Sequence, residues 1–314
     1  MFLLRVTLRS VPMRMASRMG DALGWFLFAV VRLKRRQTLA NLELAFGEKL
    51  TPAERLAMAR RCYRHIGSVI GEFLNHPRLV ERRMEDFIVL ENPEVLEEAL
   101  APGKGAVLTL GHQGNWEIVG AGIVHHGLQV TAYVGEQHNP AADALINGIR
   151  QSIGMGTVPK RSAARGMIRT LREGKILAIL PDQHYSRNRH FVRYFGRVVS
   201  VAPGVATMVR HAGVPVIFSD TWRVGRFRYR TRFHCLDLPP HSGNDEYEIL
   251  VISQAFMSAL ETAVRRHPEQ YFWMHRRWRH PPEALHLSPV NQAFLDGKPP
   301  PVDAPRNDPP EEPA

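Results

Sequence analysis

The chain of 314 residues is 44% hydrophobic and 23% charged, a balance that excludes a disordered or fibrous protein and suffices for one large core. Forty-one lysines and arginines against thirty acidic residues give a formal charge of +11, so the surface attracts an anionic partner: nucleic acid, phospholipid headgroups or an acidic protein. Cys62 and Cys235 are far apart with no CxxC spacing, which excludes a disulfide framework or a cysteine zinc cluster and fits a reducing, cytoplasmic-side setting.

The first predicted element is the apolar run Ala22-Leu-Gly-Trp-Phe-Leu-Phe-Ala-Val-Val31, bounded by Asp21 and Arg32. Ten helical residues reach roughly 15 Å, about half a hydrocarbon core, and extension backward brings in Arg18 and Arg14. With Arg32, Lys34, Arg35 and Arg36 following at once, residues 1–36 read as a monotopic, membrane-associating helix whose basic end rests on an anionic leaflet. A buried core helix is the alternative. No small-residue cleavage site follows, which argues against a cleaved signal peptide.

Thr51-Pro-Ala-Glu54 is a capping box with proline at the first helical position, and Leu56, Ala59, Tyr63, Ile66, Ile70 and Phe73 continue at helical spacing. From Gly105, short apolar runs alternate with helical ones: 106–110 then 116–126, 130–134 then 140–153, 176–180, and 214–219 after a helix opening at Pro203. That alternation predicts an α/β fold, a central mostly parallel sheet flanked by helices, with strands covered on both faces. A long helix is predicted over 245–266. From Pro281 the composition turns to proline and acidic residues, predicting an unstructured tail over 281–314 and a single catalytic domain over 37–280.

His112 and Glu117 follow the predicted strand 106–110 directly, at a carboxyl end where open α/β sheets place ligands. Residues five apart point about 140° apart in a helix, so the two side chains meet only across a turn, which Gly111 and Gly114 supply. Asn115 is then a helix N-cap, and Glu117 falls in the first turn, where the helix dipole favours a carboxylate. An ionised Glu117 beside His112 would fix the imidazole tautomer while the other ring nitrogen takes a proton from an attacking hydroxyl. A purely structural His–Glu pair is the alternative on the spacing alone.

Gly111-His-Gln-Gly-Asn-Trp-Glu117 resembles the His-x4-Glu block of the bacterial lipid A biosynthesis acyltransferases, the lauroyl and myristoyl secondary acyltransferases. Ile149-Arg-Gln-Ser-Ile-Gly154 is similar to the Arg-x3-Gly segment of that family, Leu180-Pro-Asp-Gln183 to its Asp-Gln block, Phe191-Val-Arg-Tyr-Phe-Gly196 to its Phe-Phe-Gly stretch, and Trp273-Met-His-Arg-Arg-Trp278 to its closing block. The resemblance covers roughly residues 30 to 280 in order. It implies a glycerolipid-acyltransferase-like fold and no cofactor. It implies acyl carrier protein as the acyl donor, a glycolipid (lipid A precursor) as acceptor, and the cytoplasmic face of the inner membrane as the setting. It also implies His112 as base with Glu117 as partner, and Asn115, Arg150, Asp182 and Gln183 as substrate contacts. A relative acting on another glycolipid, such as a phosphatidylinositol mannoside, with a coenzyme A thioester is the alternative. Two departures stand out: His184 and Tyr185 follow Asp-Gln where glycine is frequent, and Ser200 opens a segment where threonine is common.

Arg226, Arg228, Arg230 and Arg232 alternate with Phe227, Tyr229, Thr231 and Phe233, predicting a strand with four guanidinium groups on one face. That face, with Arg228 and Arg230 at its centre, is a candidate for holding acceptor phosphates or an acidic carrier protein; a solvated edge strand is the alternative. Arg276, Arg277 and Arg279, interleaved with Trp273 and Trp278, suit a lipid interface better than nucleic acid. His125, His126, His138, His184 and His190 lack any metal-ligand spacing, so no metal is expected. Neither a Gly-x-Ser-x-Gly elbow nor a nucleotide-binding glycine loop is present.

Overall fold

In the computed structural model, residues 11–79, 82–135, 139–160, 163–185, 190–279 and 287–300 are described. His138 lies outside them. The capping box forms as the sequence predicts: Thr51 caps the helix Pro52–Phe73 through the Glu54 amide, and the Glu54 carboxylate returns to the Thr51 amide at 2.8 Å. Two helices precede it, α1 (Met13–Phe26) and α2 (Arg35–Phe46), so Pro52–Phe73 is α3. A five-residue π segment, Leu27–Val31, extends α1 and ends where Arg32 turns left-handed at φ 56°.

The α1 helix packs along α3 through small residues on both sides. A Cβ on Gly20 would stand 2.1 Å from the Gly67 carbonyl oxygen, and one on Gly71 would stand 2.4 Å from that of Ala16, so only glycine allows the backbones this close. The α1 helix, Met13–Phe26, is therefore packed against the rest of the described fold. Gly20, Gly24 and Phe28 are buried, whereas Leu23, Trp25, Phe26, Val30 and Val31 of the apolar run are exposed. No helix among the described residues is long and apolar enough to cross a membrane.

The α/β alternation is present. Seven strands, β1 (Ile88–Leu90), β2 (Ala106–Thr109), β3 (Val130–Val134), β4 (Gly156–Pro159), β5 (Ile176–Ile179), β8 (Val216–Gly225) and β9 (Arg228–Cys235), form one sheet in the order β1-β9-β8-β2-β5-β3-β4. All neighbours are parallel except the hairpin pair β8 and β9. β6 (Phe191–Tyr194) and β7 (Arg197–Ser200) form a separate hairpin.

The central strands are apolar on both faces because both are covered. Leu108, Val130, Ile176 and Ile217 pack with Leu96 of α4 (Glu94–Leu100) and with Val119 and Ile123 of α5 (Trp116–His125). On the opposite face Val107, Leu177 and Val216 meet Met167 and Leu171 of α7 (Ala163–Arg172) and Met208 and Val209 of α8 (Pro203–Ala212). Between these, α6 (Pro140–Ser152) links β3 to β4, and α9 (Asp245–Arg266) spans the predicted limits.

Of the tail, only residues 287–300 are described, and these are ordered against the fold. Ser288 caps a further helix, α10 (Pro289–Leu295), whose Val290 and Leu295 are buried, and Asn291 exchanges two hydrogen bonds of 2.8 Å with the Phe191 backbone. A proline at the first helical position starts this helix instead of preventing it.

Candidate active site

The β2 strand ends at Thr109, and the chain turns through residues 111–114 before α5 begins. Gly114 makes this turn at φ 59°, and a Cβ there would meet the Thr221 carbonyl oxygen at 2.4 Å. Its amide donates to the Gln270 carbonyl at 3.0 Å, and its own carbonyl lies 2.8 Å from His65 Nε2. Asn115 caps α5 through the Ile118 amide at 3.2 Å. It is fully buried, and its side-chain oxygen serves the turn.

The predicted His112–Glu117 pair does not form. His112 is held by Asp182: Nδ1 lies 2.6 Å from Oδ1, and the His112 amide donates to Oδ2 at 2.8 Å. One carboxylate thus fixes both the backbone and the ring. With Nδ1–H donating to Asp182, Nε2 is left as the acceptor nitrogen, and the Gln183 amide nitrogen stands 3.3 Å from it at the exposed mouth. Asp182 is 2% exposed; burial opposes its charge, but the attraction of His112 and two hydrogen bonds from it hold its carboxyl below the usual carboxylate value. Trp116 meets the imidazole edge-on with centroids 5.0 Å apart.

Glu117 belongs to a second pair. Both its oxygens are taken by Arg150 from α6, Nη2 to Oε1 at 2.6 Å and Nε to Oε2 at 3.0 Å, the two-pronged geometry that a guanidinium prefers. The reason is directional. Beginning α5 at Trp116 turns Glu117 toward the end of α6, whereas the His112 ring looks across the sheet to the segment after β5. The sequence blocks named His112, Glu117, Arg150 and Asp182 together, but the partners are exchanged.

The arginine face is also altered. Arg226 lies in the turn before β9, and Phe227 is left-handed at φ 57°. Arg228, Arg230 and Arg232 do share an exposed face, but Arg230 and Arg232 both bind Glu91, at 2.7 and 2.6 Å. β9 is no edge strand, since β1 pairs beyond it. Much of this charge is therefore spent within the sheet.

Sequence reading missed how the C-terminal block fastens the site. His275 Nε2 accepts the His184 amide at 2.7 Å, and Arg277, buried, donates to the Ser200 carbonyl at 2.6 Å. The two departures noted above touch each other, with His184 Nδ1 2.8 Å from Ser200 Oγ. Burial pushes His275 down to about 4, keeping it neutral as an acceptor. Among the described residues no group of three or more His, Cys, Asp or Glu is assembled to hold a metal; His125 and His126 instead face Glu85 and Glu97 at the surface.

Residues 1–280 match the family of bacterial lipid A biosynthesis acyltransferases. The chain is 25% identical over 271 residues to a lipid A biosynthesis acyltransferase of Haemophilus influenzae, covering 84% of this chain and 81% of that protein. It is 23% identical over 280 residues to the lipid A biosynthesis lauroyltransferase of Escherichia coli, covering 88% and 89%. A phosphatidylinositol mannoside acyltransferase of Mycobacterium tuberculosis is 26% identical over 212 residues, covering 65% and 63%. With the match extending over nearly the whole described fold, the chain belongs to the bacterial lipid A biosynthesis acyltransferase family and is an acyltransferase.

Proposed function

We propose that this acyltransferase moves a fatty acyl group from acyl carrier protein to a hydroxyl of a lipid A precursor, with His112 as general base. The observation that carries this reading is the grip of Asp182 on His112, which leaves Nε2 as an oriented lone pair at the mouth of the site. The acceptor hydroxyl oxygen attacks the thioester carbonyl carbon while its proton passes to Nε2. Collapse of the tetrahedral adduct breaks the carbon–sulfur bond, and the imidazolium returns the proton to the departing thiolate. Asp182 orients the ring and stabilises the imidazolium, in the manner of the carboxylate of a hydrolase triad. No acyl-enzyme is needed, since the acceptor supplies the nucleophile.

Glu117 takes a different role from the one its spacing suggests. It holds the Arg150 guanidinium at the end of α6 and so fixes the wall beyond the turn.

The test is product mass after incubating detergent-purified protein with acyl carrier protein thioester and a tetra-acylated lipid A precursor. Wild type adds one acyl group. Asp182→Asn, which leaves the shape but reverses the tautomer preference, lowers kcat by about 10³–10⁴-fold; His112→Ala does no better. An active His112→Ala would overturn the mechanism. The mycobacterial relative supports a second reading, a phosphatidylinositol mannoside acceptor with an acyl coenzyme A donor. It gains if wild type is inert in the first assay and active with those two substrates.

A further inference from the structure

Beside the turn, on the far side of Gly114 from α5, an open pocket of about 300 Å³ lies between α3 and the end of the β8–β9 hairpin. Arg61, Arg64, His65, Arg223, Arg226 and Gln270 line it. Two of the four guanidinium groups are spent: Arg64 lies on Asp21 at 2.9 and 2.8 Å, and Arg223 on buried Glu72 at 2.6 and 3.1 Å. Arg61 and Arg226 have no acidic partner within salt-bridge distance among the described residues, and Glu269, at the rim, is the remaining carboxylate. Burial and the neighbouring Arg223 charge push His65 down to about 3, so it contributes a neutral ring.

The pocket offers two free forked donors at the junction of two rigid elements, the geometry that suits the several oxygens of a phosphate. The α1 helix borders it through Asp21, and helical spacing puts Arg14, Arg18 and Trp25 on that same flank. Trp25 is 48% exposed one turn beyond Asp21, and an exposed tryptophan among arginines is a side chain of the headgroup layer of a membrane.

We infer that this pocket binds the phosphate of a membrane lipid, with Arg61 and Arg226 as its direct ligands and Arg64 as a held third donor. The assignment does not depend on acyl transfer, and it is separate from the His112 site. Because His65 and the Gln270 carbonyl grip the oxygen and the amide of Gly114, the occupied pocket stands directly behind the turn that carries His112.

The experiment follows tryptophan fluorescence of the full chain in non-ionic micelles titrated with dihexanoyl phosphatidic acid, dihexanoyl phosphatidylcholine or inorganic phosphate. The phosphatidic acid is expected to bind at least about tenfold tighter than either comparator. Arg61→Gln with Arg226→Gln should weaken it by about tenfold or more, while Arg169→Gln, on distant α7, leaves it unchanged. Since all three arginines are exposed, an unchanged thermal midpoint shows that folding is intact. Equal binding by the double variant and wild type, or by phosphatidylcholine and phosphatidic acid, overturns the site. Equal binding of inorganic phosphate overturns the lipid assignment.

Discussion

Asp182 and Glu117 are both carboxylates that accept two hydrogen bonds from one residue, and their partners, His112 and Arg150, separate them. Asp182 touches His112 twice, so Asp182→Asn acts on the pH profile and kcat, whereas Glu117→Gln loosens Arg150 from 2.6 Å contact. We expect Glu117→Gln to lower kcat much less than Asp182→Asn, by roughly one to two orders of magnitude, measured in the same mass assay. Equal losses would restore Glu117 to the base. His65 supplies a separate prediction about stability. Its folded pKa of about 3 lies below the ordinary histidine value near 6.5, so between those limits the unfolded chain binds a proton that the folded one does not. Stability is therefore fully present above about pH 6.5 and falls on acidification through that window, by up to about 1.4 kcal/mol per pH unit from this ring. Thermal midpoints at pH 7 and pH 5 should differ less for His65→Gln than for wild type; identical differences would assign the linkage to other groups.

The α1–α3 pairing depends on glycines at the points of closest approach. Gly67→Ala places a methyl 2.1 Å from the Gly20 carbonyl oxygen, which requires the helices to separate, at a cost of about 3 kcal/mol at the upper end of overpacking. Gly47→Ala, at φ 53° but with nothing within 4 Å, strains only its own backbone and should cost less. Thermal unfolding of the two variants checks the order. This pairing is legible in Gly20-x3-Gly24 and Gly67-x3-Gly71, but the apolar run Ala22 to Val31 is more conspicuous in the sequence than a glycine row. Elements with strong periodicity or caps, such as α3, β3 and α9, emerged at or near their limits. Short strands such as β1 and β4, three and four residues long, offer too few residues for a period to show. The candidate site was legible as a set of blocks because each residue lies at an element end. Which carboxylate meets which cation depends on the angle at which α5 leaves the turn, and that angle is set by Thr221 and Gln270, more than a hundred residues away.

At the scale of the molecule, the +11 charge and the exposed side of α1 act together. Met15, Met19, Leu23, Phe26 and Val30 recur at helical spacing, and each exposes between 45% and 57% of its surface. Such a stripe is costly in water and favourable in the outer part of a bilayer. We propose that α1 lies in the interface of a membrane, its glycine face on α3 and its exposed apolar stripe in lipid. Arg14 and Arg18 then reach the headgroups, so binding should have an apolar part and a salt-sensitive part. Co-sedimentation with vesicles of phosphatidylcholine and phosphatidylglycerol separates them. Met19→Gln with Leu23→Gln should lower partitioning by at least about tenfold at every salt concentration, since each side chain contributes on the order of 1 kcal/mol when half buried. Raising the salt should weaken wild type and variant by the same factor. Retention of full binding by the variant would show that charge alone brings the protein to the vesicle, and the stripe would then need another occupant.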